Sequence, residues 1–307
     1  MSAISVQHIV KTYGSKKDTV TALKDICFAV DEGELFGIIG PDGAGKTSLF
    51  RILTTLLLAD SGTALVDGFD VLKDYKAIRN RIGYMPGKFS LYQDLTVEEN
   101  LQFFATIFNT SIAENYELVR DIYIQIEPFK NRRAGKLSGG MKQKLALCCA
   151  LIHHPTVLFL DEPTTGVDAV SRKEFWEMLQ NLKKQGITIL VSTPYMDEAG
   201  LCDRVALIQT GNIMSIDSPG NIIEQFKKPL WAVRSAAMFR LLNDLQHYNN
   251  TESCYAFGEN HHLILKNNEA DPVELNNYLR DLQHTEVAVQ KISPNIEDCF
   301  IELMRQN

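Results

Sequence analysis

A glycine-rich stretch that begins at Gly40 constrains the fold of this chain more than any other feature. Residues 40–47 fit the pattern G-x-x-x-x-G-K-[ST]. Apolar residues 35–39 before it predict a short buried strand, and residues 48–53 after it predict a helix start. Backbone N–H groups in such a turn cradle phosphate oxygens, and the helix N-terminus adds a partial positive charge. The stretch therefore predicts a nucleotide-binding loop, the alternative being a turn used only for packing.

Two side chains at the end of this loop have predicted roles of their own. Lys46 is expected to reach the terminal phosphates, and the hydroxyl of Thr47 is expected to hold Mg²⁺. Further along, Asp161 ends an apolar segment at residues 157–160. A carboxylate at the end of a buried strand that faces the phosphate loop can bind Mg²⁺, directly or through water. Glu162 would then be placed as a general base for an attacking water.

Composition excludes several other classes of protein. The 307 residues carry a formal net charge of -7, which argues against a protein that binds nucleic acid through bulk electrostatics. No apolar run approaches the ~18 residues that a membrane span needs, and residues 1–6 lack the features of a signal peptide. The six cysteines are scattered, which fits reduced thiols in the cytosol. The pairs His153-His154 and His261-His262 are predicted not to bind metal, because they lack partners at ligand spacing.

Strands and helices alternate along most of the chain. Residues 4–30 predict antiparallel strands around a polar turn, residues 95–125 predict helices, and residues 157–160 and 187–191 predict buried strands. This alternation indicates a mostly parallel α/β core with a helical insertion at about 92–150.

A compositional change near Lys227 separates a second predicted domain. The order of elements after it is strand, helix, two strands, helix, strand and a last helix, which indicates a small ferredoxin-like α+β domain. We therefore predict a nucleotide-binding domain at 1–226 and an accessory domain at 227–307. The accessory domain is interpreted as a packing or dimerisation element, with a ligand sensor as the alternative.

A second predicted anion site lies at Ser138-Gly139-Gly140, at the start of a helix. One nucleotide does not need two phosphate cradles from one chain. The second cradle is therefore expected to serve a nucleotide held by another protomer.

With both motifs in place, residues 4–220 resemble the nucleotide-binding domain of ABC transporters. The fold that this implies is a P-loop NTPase core with an antiparallel β subdomain and a helical subdomain, followed by the C-terminal α+β domain. The chain is more similar to the drug-export branch of these ATPases. The stretches that match that branch are residues 40–45, 84–86, 89–92, 95–100 and 293–300.

The resemblance implies ATP and Mg²⁺ as ligands and gives roles to particular residues. Tyr13 is expected to stack on adenine, and Asp168 belongs to a loop that connects two ATP sites. The implied nucleotide-binding residues are Tyr13, Gly40, Pro41, Asp42, Gly43, Ala44, Gly45, Lys46, Thr47 and Ser48. The implied signature residues are Leu137, Ser138, Gly139, Gly140 and Met141. Thr47 and Asp161 are the implied metal ligands, and Glu162 is the implied catalytic residue.

Three positions depart from the family pattern. Gly87 stands where the family has a Gln that touches Mg²⁺ and the attacking water and senses the membrane partner. Pro194 stands where a His contacts the γ-phosphate, and proline has neither an imidazole nor an N–H donor. Asp42 replaces a commoner Asn, and its charge would weaken phosphate binding unless it faces away. Gln93 is interpreted as a solvated loop residue and not as a replacement for the missing Gln.

The sequence thus predicts an ATP-binding subunit of a membrane exporter, peripheral on the cytoplasmic face of the membrane, with a slow ATP site of its own. Its expected partners are separate membrane-spanning permease subunits and a second ABC ATPase in a heterodimer, with a homodimer as the alternative. The alternative functions are a non-hydrolysing regulatory subunit and a soluble ABC ATPase that acts on ribosomes or DNA.

Overall fold

The computed structural model describes residues 2–15, 18–266 and 272–306. The chain divides into one compact unit formed by Met1–Gly220 with Leu303–Asn307 and a second unit formed by Asn221–Glu302. The sequence-based boundary at 226/227 therefore lies beyond the helix Pro219–Gln225, whereas the structure divides the chain at the start of that helix. Within the described ranges, no helix is both long enough and apolar enough to span a bilayer.

The larger unit is built on a sheet with the order β10-β9-β3-β8-β7-β6. Neighbouring strands from β9 to β6 run parallel, and β10 pairs antiparallel with β9. All residues of β3, β7 and β8 are buried, which explains why the sequence reads as continuous apolar runs there. The strands are β3 (Leu35–Ile39), β6 (Ile82–Met85), β7 (Val157–Asp161), β8 (Thr188–Thr193), β9 (Arg204–Gln209) and β10 (Asn212–Asp217).

A second, antiparallel sheet of the same unit has the order β2-β1-β4-β5. The predicted antiparallel strands at the start of the chain are long and paired along most of their length, and Lys16 and Lys17 of the predicted turn lie outside the described residues. The strands are β1 (Ser2–Ser15), β2 (Asp18–Asp31), β4 (Ser61–Val66) and β5 (Phe69–Asp70).

Helices connect these strands, and several of them have clear start signals. Thr96 and Glu99 form a capping box that begins α3, and Ser138 and Asp168 cap α5 and α6. The predicted helical insertion lies between β6 and β7 and contains α3, α4 and α5. The helices are α1 (Lys46–Leu53), α2 (Tyr75–Arg79), α3 (Val97–Ile107), α4 (Tyr116–Tyr123), α5 (Gly139–Leu151), α6 (Ala169–Lys184) and α7 (Pro219–Gln225).

The helix after the phosphate loop packs directly on the strand that carries the acidic pair. Phe50 of α1 meets Phe159 of β7 edge to face, with ring centroids 6.1 Å apart. Both rings are fully buried in the core that lies between the two sheets. This contact holds α1 against β7. It therefore positions the phosphate loop, which precedes α1, relative to the acidic pair at the end of β7.

The second unit has the predicted ferredoxin-like topology. Its sheet has the order β12-β13-β11-β14 with every pair antiparallel, which is the order that a βαββαβ chain gives when each helix crosses over one strand. Leu241 and Leu245 of α8 pack with Leu263 and Leu275 in its core. The elements are β11 (Leu230–Arg234), α8 (Met238–His247), β12 (Thr251–Phe257), β13 (Asn260–Leu265), α9 (Pro272–Asp281), β14 (Ala288–Ile292) and α10 (Ile296–Gln306), whose residues from Leu303 onwards belong to the larger unit.

Candidate nucleotide site

The phosphate loop is held against its neighbours at two glycines. A Cβ atom on Gly45, which has a φ of 107°, would lie 2.3 Å from the carbonyl oxygen of Ala22. A Cβ atom on Gly40 would lie 2.0 Å from the carbonyl oxygen of Ile208. Any side chain at either position would therefore displace the loop from β2 or β9. The backbone N–H of Gly40 also donates to the carbonyl of Thr193 at 3.3 Å, which joins the loop to the end of β8.

The ammonium group of Lys46 lies under this loop and is almost completely buried, at 3 % exposure of the residue. Its Nζ donates to the carbonyl oxygens of Gly40 at 2.7 Å and Pro41 at 3.0 Å. It also pairs with Oε1 of Glu162 at 3.0 Å. Two carbonyls of the predicted phosphate loop and the carboxylate of the predicted catalytic residue therefore meet at one charged atom.

Asp161, at the end of β7, is buried beside Thr47. Its Oδ1 accepts a hydrogen bond of 2.7 Å from the hydroxyl of Ser192, and the hydroxyl of Thr47 bonds to the same carboxyl group. Burial raises the pKa of Asp161 above its ordinary value, and the two hydroxyls oppose that rise. A bound cation would favour the ionised form. The two predicted metal ligands thus lie together with oxygen donors of the type that Mg²⁺ prefers.

Glu162 has a strained backbone, with a φ of 53°. Its N–H donates to the carbonyl and to the hydroxyl of Ser192, at 3.1 and 3.0 Å. These bonds hold the residue just beyond the end of β7, with its carboxylate turned towards Lys46.

Tyr13 lies on β1 close to the same loop. Its hydroxyl is 3.0 Å from Oγ of Ser48, the second residue after the buried lysine. The ring is 40 % exposed, which leaves a face available for stacking, and Nζ of Lys11 lies 5.7 Å from its centroid. The structure therefore brings the predicted adenine-stacking residue to the edge of the phosphate loop.

The second predicted anion cradle is formed at the start of α5. Oγ of Ser138 accepts from the N–H of Met141 at 3.3 Å, and Ser138 and Gly139 are exposed. Gly140 packs so tightly on α6 that a Cβ atom there would lie 2.7 Å from Oγ of Ser171. Leu137 is buried and fixes the turn that leads into the helix.

Asp168 is the N-cap of α6, where its Oδ1 accepts from the N–H of Ser171 at 3.0 Å. The backbone N–H of Ser171 lowers the pKa of this carboxyl group. Because Ser171 also touches Gly140, the start of α6 and the start of α5 lie side by side. The loop that the resemblance assigns to communication is therefore anchored next to the second cradle.

The two positions that depart from the family pattern border the acidic pair and the phosphate loop. A Cβ atom on Gly87 would lie 3.0 Å from the carbonyl oxygen of Asp161 and 3.8 Å from Cβ of Glu162. Pro194 directly follows Thr193, whose carbonyl accepts from the phosphate loop. Neither residue offers a polar side chain there. Asp42 is exposed at the tip of the loop.

Sequence reasoning missed a buried carboxylate that joins the segment after β7 to the segment after β8. Glu198 is 2 % exposed and accepts from the hydroxyl of Thr164 at 2.9 Å and from Nε of Arg172 at 3.2 Å. Its other oxygen accepts from the hydroxyl of Thr193. The surrounding residues 195–200 are mixed polar and apolar, so no local pattern distinguishes Glu198 from a surface acid.

An apolar cavity of about 420 Å³ lies beside the Gly87 segment. Met85, Pro86 and Phe89 from that segment line one side, and Phe104 and Ile107 of α3 line another. Ile107 is 57 % exposed. The cavity is therefore open to a partner and lies between the core and the helical insertion.

Comparisons with known proteins agree with this geometry. A family model described as "ABC transporter" matches residues 23–165. The chain is 40 % identical over 283 residues to the probable multidrug ABC transporter ATP-binding protein YbhF of Escherichia coli K12, covering 90 % of this chain and 48 % of that protein. It thus spans about half the length of that relative. It is 37 % identical over 215 residues to the ABC transporter ATP-binding protein NatA of Bacillus subtilis, covering 69 % and 87 % of the two chains.

A solved structure has the same fold in its matching part. It is the dimeric ATP-binding cassette MJ0796 in a post-hydrolysis state bound to ADP and Pi, with a TM-score of 0.64 and 25 % identity. The match covers 70 % of this chain and 98 % of that one.

Replacing the buried lysine tests the phosphate loop. Hydrogen bonds to a charged group contribute about 1.5–3 kcal/mol, so Lys46→Ala should weaken Mg·ATP binding by about 10- to 100-fold in calorimetry. Lys73→Ala is the matched control, because that lysine is 78 % exposed and only distantly paired. Equal affinity of both variants would contradict the assignment of the loop.

Proposed function

Because this chain belongs to the family of ABC transporter ATP-binding proteins, we propose that it is the ATP-binding subunit of a membrane exporter, peripheral on the cytoplasmic face of the membrane. The observation that carries the proposal is the buried Lys46, which joins the phosphate loop to Glu162 beside the pair Thr47 and Asp161. That pair would hold Mg²⁺, which would supply positive charge to neutralise the phosphates. Export of a drug-like molecule is proposed from the name of the YbhF relative.

The ATP site built on this chain's own phosphate loop is proposed to be slow. Glu162 remains available as a base, but Gly87 and Pro194 remove two groups that would orient water and stabilise the γ-phosphate. Loss of one preorganised contact to the transition state typically costs about 10²–10³ in rate, and two such losses need not multiply. The backbone around both positions keeps its contacts. Gly87 lies beside Asp161, and the carbonyl of Thr193 accepts a hydrogen bond from the N–H of Gly40.

Restoring both groups should therefore raise the rate of ATP hydrolysis. Gly87→Gln together with Pro194→His should hydrolyse ATP at least about tenfold faster than the parent chain. The expected minimum gain is this small because the new side chain at residue 87 crowds its neighbours. A Cβ atom at residue 87 must move a few tenths of an ångström from the Asp161 carbonyl.

The control is Gly87→Ala with Pro194→Ala, which brings the same crowding and the same backbone N–H without the amide or the imidazole. Steady-state phosphate release measures all three proteins. If all three proteins fold, bind ATP and release phosphate at equal rates, the result would favour the alternative of a non-hydrolysing regulatory subunit. The absence of the Gln and His side chains at residues 87 and 194 is the observation that supports that alternative.

Two cradles in one chain support a dimer in which each ATP lies between the phosphate loop of one protomer and the second cradle of the other. The name of the MJ0796 structure describes such a cassette as dimeric. In a homodimer of this chain both sites would lack the two groups. The second cradle at Ser138 is complete, so a heterodimer with an ATPase that keeps its own Gln and His would contain one active site. We therefore propose the heterodimer, with a slowly cycling homodimer as the competing assembly.

Two substitutions in this chain separate these assemblies. With the second ATPase and the permease subunits co-expressed, Ser138→Arg should abolish most ATP hydrolysis, because it blocks the active site of the partner. Glu162→Gln should reduce hydrolysis far less, because it alters only the slow site.

Ser111→Arg is the matched control, since Ser111 also caps a backbone N–H through its hydroxyl at 3.3 Å, in the helical insertion. Equal loss from Ser138→Arg and Glu162→Gln, or failure of the two ATPases to associate with ATP present, would contradict the heterodimer.

The permease contact is proposed at the apolar cavity beside residue 87. The resemblance assigns that segment to sensing the membrane partner, and the cavity adjoins it with aromatic walls from Phe89 and Phe104. An apolar helix or turn from a permease would cover Ile107 there.

A charge at the rim of this cavity should prevent assembly. Ile107→Asp should abolish co-purification with the permease while leaving Mg·ATP affinity unchanged. Ile124→Asp is the matched control, because Ile124 is 56 % exposed against 57 % for Ile107 and does not line the cavity. Retention of the permease by the Ile107 variant would place the contact elsewhere.

A further inference from the structure

Three side chains with nitrogen, oxygen and sulfur donors meet on strands β1 and β2 of the antiparallel sheet. Nδ1 of His8 lies 2.8 Å from Oδ1 of Asp25 and 3.6 Å from Sγ of Cys27. All three ligand atoms lie within 4.8 Å of one another. The side chains of His8 and Asp25 are 74 % and 71 % exposed, so an ion can reach them from solvent.

The backbone is distorted where two of these residues stand. His8 and Asp25 have φ values of 54° and 58°, in the left-handed region that non-glycine residues seldom adopt. The pairing of β1 with β2 shifts between Val6 and Ile9 and again between Ile9 and Lys11. Bulges of this kind turn a side chain out of the regular alternation of a strand. Two consecutive irregularities therefore bring His8 and Asp25 together across the ladder.

A third strand supports the distortion from the other side. Gly62 of β4 lies so close to the backbone of β1 that a Cβ atom there would be 2.3 Å from the carbonyl oxygen of His8. The backbone N–H of His8 also donates to Sγ of Cys27 at 3.1 Å.

The spacing of the nitrogen and sulfur donors is close to that of a tetrahedral zinc site. Typical Zn–N and Zn–S bond lengths place the nitrogen and sulfur ligands of one tetrahedral ion about 3.6 Å apart. Nδ1 of His8 and Sγ of Cys27 are 3.6 Å apart in this structure. A nitrogen and a carboxylate oxygen on the same ion would be about 3.4 Å apart, so Asp25 would need to move outwards by about 0.6 Å from its contact at 2.8 Å.

We propose that His8, Asp25 and Cys27 bind a divalent transition-metal ion, with Zn²⁺ as the ion that fits the donors best. Imidazole and thiolate ligands select zinc and related ions over Mg²⁺, which prefers oxygen. Water could reach the ion through the open groove that Asp25 and Cys27 share with Asn212 and Ser215 of β10. This site is distinct from the Mg²⁺ ligands Thr47 and Asp161.

The test uses the full chain without an affinity tag, under a reductant that does not bind metals. Zn²⁺ affinity is measured by competition with a chromophoric chelator, and Co²⁺ is used as a spectroscopic substitute. We expect one Zn²⁺ per chain and a thiolate-to-Co²⁺ charge-transfer band that Zn²⁺ removes. Cys27→Ser should abolish the band, and His8→Asn and Asp25→Asn should each weaken Zn²⁺ binding by at least about tenfold.

These substitutions are chosen to preserve the fold, because Asn tolerates the left-handed backbone at residues 8 and 25 and Ser is close to the size of Cys. His154→Asn is the matched control, because His154 is also exposed and has a φ of 58° but lies outside the cluster. Unchanged Mg·ATP binding confirms that each variant is folded.

Two results would overturn the proposal. One is Zn²⁺ binding that Cys27→Ser and His8→Asn weaken no more than His154→Asn does. The other is a Co²⁺ complex of the parent chain without a thiolate band. Either result would leave the His8–Asp25 contact as a support for the bulges alone.

Discussion

The burial of one ammonium group governs the arrangement of the nucleotide site. A charged lysine at 3 % exposure must be fully compensated, and Lys46 is compensated by two carbonyls of its own loop and by the carboxylate of Glu162. These contacts join the phosphate loop after β3 to the end of β7. Under the proposed function, an arriving phosphate would bring a new counterion to the same ammonium, and the carboxylate of Glu162 would become available to a water. The lysine would thus couple occupation of the loop to the state of the proposed base.

Much of this frame could be predicted from the sequence, because it depends on local signals. Fully apolar runs before Gly40 and before Asp161 identify parallel strands that are buried on both faces, and the glycine pattern gives the loop between strand and helix. The order of elements in the C-terminal unit was sufficient for its topology, since alternatives for a βαββαβ chain are few. The exact division between the units was not predictable, because it falls at the start of helix α7, which ends before the compositional change near Lys227.

The features that sequence reasoning missed depend on contacts between distant segments. Glu198 is buried only because Thr164, Thr193 and Arg172 surround it with donors, and those residues come from three different elements. In the sequence, Cys27 is only one of several scattered cysteines. Its pairing with His8 arises from irregular register between β1 and β2, which strand propensity does not encode. A pattern with a period of two predicts which face a residue occupies only until the first bulge.

The side chains that would act in hydrolysis are separate from the contacts that fix the geometry of the site, so the site can lack the former and keep the latter. Gly87 and Pro194 alter side chains, whereas the contacts that fix the site are made by backbone atoms and by the buried Glu198. Gly40 still donates to Thr193, and the hydroxyl of Thr193 is still held by Glu198. In the proposed function, binding of ATP would depend on these preserved contacts, while rapid hydrolysis would depend on the two side chains that Gly87 and Pro194 do not supply. The cradle at Ser138 lies on a different helix and loses nothing, because α5 is positioned by Gly140 against Ser171. If the phosphate loop of this chain serves binding and the cradle at Ser138 serves catalysis, the partner protomer must have a different sequence. This is the physical reason that we favour the heterodimer.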